Sequence, residues 1–325
     1  MTTKENVLTL LMTQAPEFIS GEEMAQKLEV SRTAIWKAIK ELKKEGYLIN
    51  SSTNKGYQYL PSDILSAEGI RLYLSEKTPD LSIKILDSST STMRDAKLAA
   101  VNGEPENTLV VADMQEAPKG RFGRPFFAKK GGGIYMSILL RPNQRFEEMA
   151  QYTLIMAVAI AEALDKAAGI VSEIKWVNDI YINGRKVCGI LSEAMSDVES
   201  GQITNIVIGM GINFAIRQDE FPEDIRDKAT SLYSDGQPTI TKNELIALIW
   251  NRFYKILNEK DTAYLDIYRK KSFVLGKEVT FIQKQVEYQG IAKQINNLGE
   301  LIVQLPNGDE KALSSGEISL KKIQG

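Results

Sequence analysis

"KWVNDIYINGRKVCGIL", residues 175–191, decides how the middle of this 325-residue chain folds. Asn183-Gly184 is a strong signal for a two-residue turn, because both positions tolerate the positive φ that a tight hairpin requires. The runs on either side are rich in Val, Ile and Tyr, as strands are. A hairpin closed there pairs Ile182 with Arg185, Tyr181 with Lys186 and Asp179 with Cys188. Residues paired across strands share a face, so Asp179 and Lys186 become diagonal neighbours, about 7–8 Å apart at the backbone. Opposite charges among apolar residues are more costly to bury than to expose. Two readings follow: an exposed sheet face with an ion pair of little worth, or a site that sets a cation beside a carboxylate group with an acidic partner close by.

Upstream lies "QEAPKGRFGRPFFAKKGGG", residues 115–133, with five basic residues, five glycines and three phenylalanines in a chain of net charge -2. It joins two apolar strands, "NTLVVADMQ" and "GGGIYMSILL". Glycines let backbone N–H groups approach an anion, and arginine offers a planar fork to phosphate or carboxylate. The loop is neither a Walker A loop nor a Gly-x-Gly-x-x-Gly turn. Composition alone leaves an anion-binding loop and a mobile surface connection both open.

The surrounding pattern alternates helices and strands from about residue 64. "LSIKILDSSTSTMRDAKLAA" reads as strand, polar turn and a helix that Thr92 and Asp95 cap. "YTLIMAVAIAEALDKAAG" is a nearly all-apolar helix that belongs in a deep core. The glycines of "GMGIN" read as a tight strand exit. Together these give a mixed α+β domain, a central sheet backed by helices.

The first sixty residues are a separate unit. Ser20 with Glu23 forms a capping box for a short helix, and Ser31 caps a second. Ile35, Ala38, Ile39 and Leu42 follow i, i+3, i+4, i+7 spacing, which leaves Arg32, Thr33, Trp36, Lys37 and Lys40 on the opposite side. Gly46 ends that helix, and β-like runs around "SSTNKG" predict a hairpin. Residues 1–30 hold two basic and five acidic side chains, whereas residues 31–60 hold six basic and two acidic. Positive charge is thus concentrated on the second helix and the hairpin, Lys55 included, where a winged helix-turn-helix contacts phosphates.

Composition excludes several chemistries. One cysteine, Cys188, excludes an internal disulfide and a multi-cysteine metal site. With no histidine, the usual general base, the Ser-His and Cys-His pairs and the commonest zinc ligand are absent. No residue set points to a protein-held metal. With no leader pattern and no apolar run near about 18 residues, the expected place is the cytoplasm, with no membrane partner.

These motifs, taken in order along the whole chain, resemble those of the bifunctional biotin–protein ligases and biotin operon repressors. The matching stretches are "SRTAIWKAIKELKKEGY", "DSSTS", "QEAPKGRFGRPFF", "KWVNDIYINGRKVCGIL" and "GMGIN". They are followed by a tail from about residue 274 with turn signals at residues 297–299 and at Asn307-Gly308. The resemblance implies a multi-domain α+β chain. Residues 1–62 form a winged helix-turn-helix, 63–272 a mixed α+β sheet domain of the biotin/lipoate ligase type, and 273–325 a small SH3-like β-barrel.

It also implies the reaction. Biotin and MgATP give biotinyl-5'-AMP and pyrophosphate, and biotin then passes to a lysine of a biotin carboxyl carrier domain in a biotin-dependent carboxylase. Biotin and ATP are substrates, and Mg²⁺ comes with ATP. By the same resemblance, Ser89, Thr90, Ser91 and Gln115 line the biotin pocket. Lys119, Gly120 and Arg121 form the core of the loop over biotin and adenylate, with Arg124 and Phe126 beyond. Lys186 neutralises the biotin carboxylate and then the adenylate's bridging oxygens. Asn178 and Asn213 serve the adenylate, and Asp179 orients or deprotonates the acceptor lysine. Ser31, Arg32, Thr33, Trp36, Lys37, Lys40 and Lys55 contact operator DNA, bound by a homodimer that the adenylate promotes. The chain departs from the family pattern at Pro118-Lys119, usually Gly-Arg, at Val177, usually proline, and at Phe126, usually tryptophan. The rival readings are a lipoate-type ligase, a ligand-sensing regulator without ligase activity, and a ligase whose head no longer binds an operator.

Overall fold

A computed structural model describes residues 2–142, 149–196 and 203–320. The expected domain ends at residues 1 and 325 fall outside these. The chain forms two compact units: Met1–Glu76 with Ile240–Leu248, and Lys77–Thr239 with Ile249–Gly325.

The first unit opens with α1 (Thr3–Gln14). Thr2 and Glu5 cap it reciprocally, each side chain accepting the other's backbone N–H. In α2 (Gly21–Lys27) the Ser20 half of the expected box is present, its hydroxyl accepting the Glu23 N–H at 3.0 Å. Ser31 caps α3 (Arg32–Lys44) by accepting the Ala34 N–H at 3.2 Å. As the spacing predicts, Ile35, Ala38, Ile39 and Leu42 are buried, packed in one core with Val7, Leu8, Leu11 and Met24. Strands β1 (Ile49–Ser52) and β2 (Gly56–Tyr59) form the antiparallel wing. Gly56 is required there: its φ is +97°, and a Cβ would lie 2.2 Å from the Ile19 carbonyl oxygen. The unit continues to α4 (Ala67–Tyr73), capped by Ser66. Asn243 ties residues 240–248 to this region, accepting the Ser66 N–H at 3.1 Å and donating to the Ile64 carbonyl at 2.7 Å.

The second unit is built on β3 (Ser82–Leu86), β4 (Thr108–Ala112), β5 (Gly133–Leu140), β6 (Glu173–Lys175), β7 (Asp179–Ile182), β8 (Arg185–Ser196) and β9 (Ile203–Asn213). They form one sheet in the order β3-β4-β5-β9-β8-β7-β6, parallel at β3–β4 and antiparallel elsewhere. Strands β4 and β5, which flank the glycine-rich loop, are buried along their whole length. Helix α5 (Thr92–Val101) packs Met93, Ala96 and Ala99 against Val110, Leu139 and Val207. Its N-cap is Ser91 rather than Thr92, and no side chain caps it. The two expected caps are engaged elsewhere: the Thr92 N–H donates to Gln115, and the Asp95 carboxylate accepts the Ser89 hydroxyl. Helix α6 (Met149–Ala168) is buried from Leu154 to Ala161, as its all-round apolar sequence requires. Helices α7 (Lys242–Glu259) and α8 (Tyr264–Lys271) follow.

The tail is a five-stranded antiparallel SH3-like sheet: β10 (Glu278–Gln283), β11 (Val286–Ile295), β12 (Leu301–Gln304), β13 (Glu310–Leu313) and β14 (Ile318–Leu320). Gly299 and Gly308 take positive φ, 82° and 90°, at its two signalled turns. Among the described residues no helix is long and apolar enough to cross a membrane.

Candidate active site and nucleic-acid interface

Three glycines keep one patch of the large sheet bare. A Cβ on Gly211 would lie 2.6 Å from the Phe126 ring, one on Gly209 would lie 2.4 Å from the Met93 sulfur, and one on Gly189 would lie 3.1 Å from Lys186 Nζ. Gly209 and Gly211 are not a strand exit. Both sit inside β9 with partners on each side, Ser137 and Leu191 for Gly209, Tyr135 and Gly189 for Gly211. They are needed because a loop aromatic and a helix methionine lie directly on the strand.

The hairpin pairs Ile182 with Arg185 and Tyr181 with Lys186, as expected, and then departs from the regular register. A bulge sets Cys188 opposite Ile180 and Gly189 opposite Asp179. The extra residue, Val187, turns Cys188 into the core, where it is 0% exposed. Burial raises its thiol pKa far above the ordinary value, so it is no nucleophile. With a glycine rather than a cysteine opposite Asp179, the Lys186 side chain folds across to it, Nζ to Oδ1 2.7 Å. At 33% and 21% exposure the pair is neither a free surface contact nor sealed in the core. Burial with the Asp179 charge pushes the neighbouring Tyr181 phenol up to about 12, which leaves it neutral.

Asn178 precedes Asp179 and is held from three sides. Its amide donates to the Ile190 carbonyl at 2.6 Å, its oxygen accepts Arg121 Nη1 at 3.4 Å, and the Tyr268 hydroxyl donates to the Val177 carbonyl just before it at 3.0 Å. The Trp176–Val177 peptide bond is cis.

The glycine-rich loop covers this patch. Arg121 Nη1 donates to the Gly316 carbonyl at 3.0 Å, and Arg124 pairs with Glu317 at 2.5 Å, so the turn before β14 holds the loop. Burial lowers the Arg121 pKa, while the Asp179 and Glu317 carboxylates act to raise it. At the other wall, the Gln115 side-chain oxygen accepts the Thr92 N–H at 2.8 Å and the Thr92 hydroxyl at 3.2 Å, and Thr92 also bonds Ser137 at 2.8 Å. A backbone N–H can only donate, so that oxygen must face Thr92 and the Gln115 NH₂ is left facing the cavity.

One cavity therefore brings together Ser91, Gln115, Lys119, Gly120, Arg121, Arg124 and Phe126 from the loop side with Asn178, Asp179 and Lys186 from the sheet. Ser89, Thr90 and Asn213 do not line it. Ser89 is buried against Asp95, and Thr90 is exposed. Asn213 is 5% exposed, its amide donating to the Thr230 carbonyl at 2.9 Å and its oxygen buried without a hydrogen-bond partner. Thr92, Met93, Ser137, Gly316 and Glu317 line the cavity but were not anticipated. For Thr92 the signal was in plain sight: "SSTST" offers Ser-Thr twice, at 89–90 and at 91–92, and only the second pair reaches the cavity.

In the first unit, Ser31, Arg32, Thr33, Trp36, Lys37 and Lys40 are all exposed. Trp36 is 54% exposed, with Lys40 Nζ 5.3 Å over its ring. Arg32, Thr33 and Trp36 of α3 face Ser52, Thr53 and Asn54 of the wing across a groove. Arg32 pairs with Glu22 at 3.2 Å, and Lys55 on the wing lies 5.7 Å over Phe18.

Models of known families match all three segments: a helix-turn-helix domain at residues 3–58, the biotin/lipoate A/B protein ligase family at 84–213, and the biotin protein ligase C-terminal domain at 274–321. Among solved structures, the Aquifex aeolicus biotin protein ligase in complex with biotin and ATP superposes with a TM-score of 0.63 at 29% identity, covering 74% of this chain and 98% of that one. The bifunctional ligase/repressor BirA of Bacillus spizizenii is 34% identical over 319 residues, 97% of this chain and 98% of the relative. That of Escherichia coli is 29% identical over 95% of this chain and 94% of its own length. The chain belongs to the family of bifunctional ligase/repressors that these relatives represent.

Proposed function

We propose that this protein activates biotin with MgATP to biotinyl-5'-AMP, transfers biotin to a lysine of a biotin carboxyl carrier domain, and as an adenylate-bound homodimer represses an operator. The observation that carries the ligase reading is the half-buried Lys186–Asp179 pair on a glycine-floored patch beneath a cationic loop.

The first step needs no protein nucleophile. The biotin carboxylate attacks the α-phosphorus and pyrophosphate leaves. The protein aligns the two anions and neutralises charge as it develops. Lys186 bonds the carboxylate and then the bridging oxygens. Arg121, Arg124 and Lys119 face the phosphate, and Phe126 closes the loop. Mg²⁺ travels on the triphosphate and is held mainly by its oxygens. In the second step the acceptor amine attacks the acyl carbon, AMP leaves with the electron pair, and Asp179 takes the amine's proton.

Biotin is favoured over lipoate by Gln115. Its fixed NH₂ offers donors to a ring carbonyl, which a ureido ring has and a dithiolane lacks. Exposed cations and Trp36 on α3, with a groove to the wing, support operator contact in a major groove. Dimerisation would place two such helices on two half-sites, and ATP and carboxylase as partners put the protein in the cytoplasm.

Purified protein with MgATP is tested for pyrophosphate release with biotin, with lipoate and with no acid. Release with biotin alone, stopping near one equivalent before acceptor is added, is the expected result. Release with lipoate alone, or with neither acid, would overturn the ligase reading.

A further inference from the structure

We infer that Gln218 is a positioning residue for Lys186 and Asn213, acting through the backbone of Arg226–Thr230; this rests on the ligase reading above. Lys186 sits at the start of β8 beside the bulge, with few restraints from its own strand. A second segment supplies them. The Lys186 N–H donates to the Lys228 carbonyl at 2.8 Å, and its carbonyl accepts the Thr230 N–H at 2.9 Å. The next carbonyl, that of Thr230, accepts the Asn213 amide at 2.9 Å. Lys186 and Asn213 are thus tied to one stretch of chain.

Gln218 holds that stretch. Its Nε2 donates to the Ala229 carbonyl at 3.0 Å and to the Arg226 carbonyl at 2.5 Å. Both partners are acceptors, so the amide orientation is fixed, and its own oxygen is left buried without a partner. The Ala229 carbonyl and the Thr230 N–H belong to the same planar peptide group. Gln218 grips that plane at its oxygen and Lys186 at its hydrogen, and the two bonds polarise each other in the same direction. Release of the Gln218 end lets the plane rotate, and the Lys186 backbone loses its register against Asp179.

The test is Gln218→Glu, which keeps the shape but turns acceptor oxygens on two carbonyls. Biotin-dependent pyrophosphate release at saturating substrates should slow about tenfold, within the range set by the two lost hydrogen bonds. Half-saturating biotin should change by less than the rate does, because Gln115 and Thr92 are untouched and Lys186 keeps its charge near the carboxylate. Gln218→Asn, which keeps an NH₂ donor, should recover part of the rate and stands in if the glutamate variant does not fold. A wild-type rate in both variants, or a rise in half-saturating biotin at unchanged maximal rate, would overturn the inference. If wild-type protein itself released no pyrophosphate with biotin, the ligase reading would fail first and take the inference with it.

Discussion

Gly211→Ala adds a single carbon at the floor of the site. That carbon would stand 2.6 Å from Cε1 and Cζ of Phe126 and 3.2 Å from Cδ1. Carbon atoms rest comfortably at about 3.5–4.0 Å, so something must retreat by about 1 Å. Strand β9 is fixed at this point between Tyr135 and Gly189. The ring sits on a loop, its backbone tied by one bond from the Phe126 N–H to the Pro118 carbonyl at 3.1 Å. The ring therefore moves. Overpacking of this kind costs about 1–3 kcal/mol, and here it falls on the closed loop rather than on the fold. At about 1.4 kcal/mol per factor of ten, biotinyl-5'-AMP should dissociate roughly 5–150-fold faster, with the melting temperature nearly unchanged. The assay is dissociation of preloaded adenylate into an excess of unlabelled ligand, beside calorimetry. In a Phe126→Ala background the three atoms nearest the added methyl are gone, so Gly211→Ala should have little further effect there. An unchanged off-rate in the single variant, or an equal effect in both backgrounds, would refute the reasoning.

Lys186→Ala should abolish adenylate formation, read as pyrophosphate release, while the protein still folds, because the removed charge is one-third exposed. Tyr268→Phe orphans the Val177 carbonyl beside a fully buried ring. It should lower stability by about 1–3 kcal/mol, seen as an earlier denaturant midpoint at unchanged slope. Lys37→Ala and Lys40→Ala should weaken operator binding and each reduce its salt slope by about 1. The same variants should leave the ligation rate unaltered.

How much was legible depended on how local the signal was. The Asn183-Gly184 turn and the α3 stripe are local, and both came out as read, with Ile182–Arg185 and Tyr181–Lys186 in register. The bulge at Val187 had no signal in composition. It exists because a buried face wants Cys188 while the site face wants a residue without a side chain opposite Asp179. The "GMGIN" glycines were misread because glycine marks an exit and a close approach equally well in sequence, and only the positions of Phe126 and Met93 tell which. Gly316 and Glu317 could not be foreseen at all, since they meet Arg121 and Arg124 across more than 190 residues of chain.

The burial of Cys188 has a practical side. It is the sole thiol in the sequence, and the bulge has turned it fully inward. A cysteine introduced at an exposed position, such as the 71%-exposed Phe122 at the tip of the loop, would be the single reactive handle for a maleimide dye. Fluorescence from that handle would follow the loop through a catalytic cycle, on wild-type chain elsewhere and with no background to subtract.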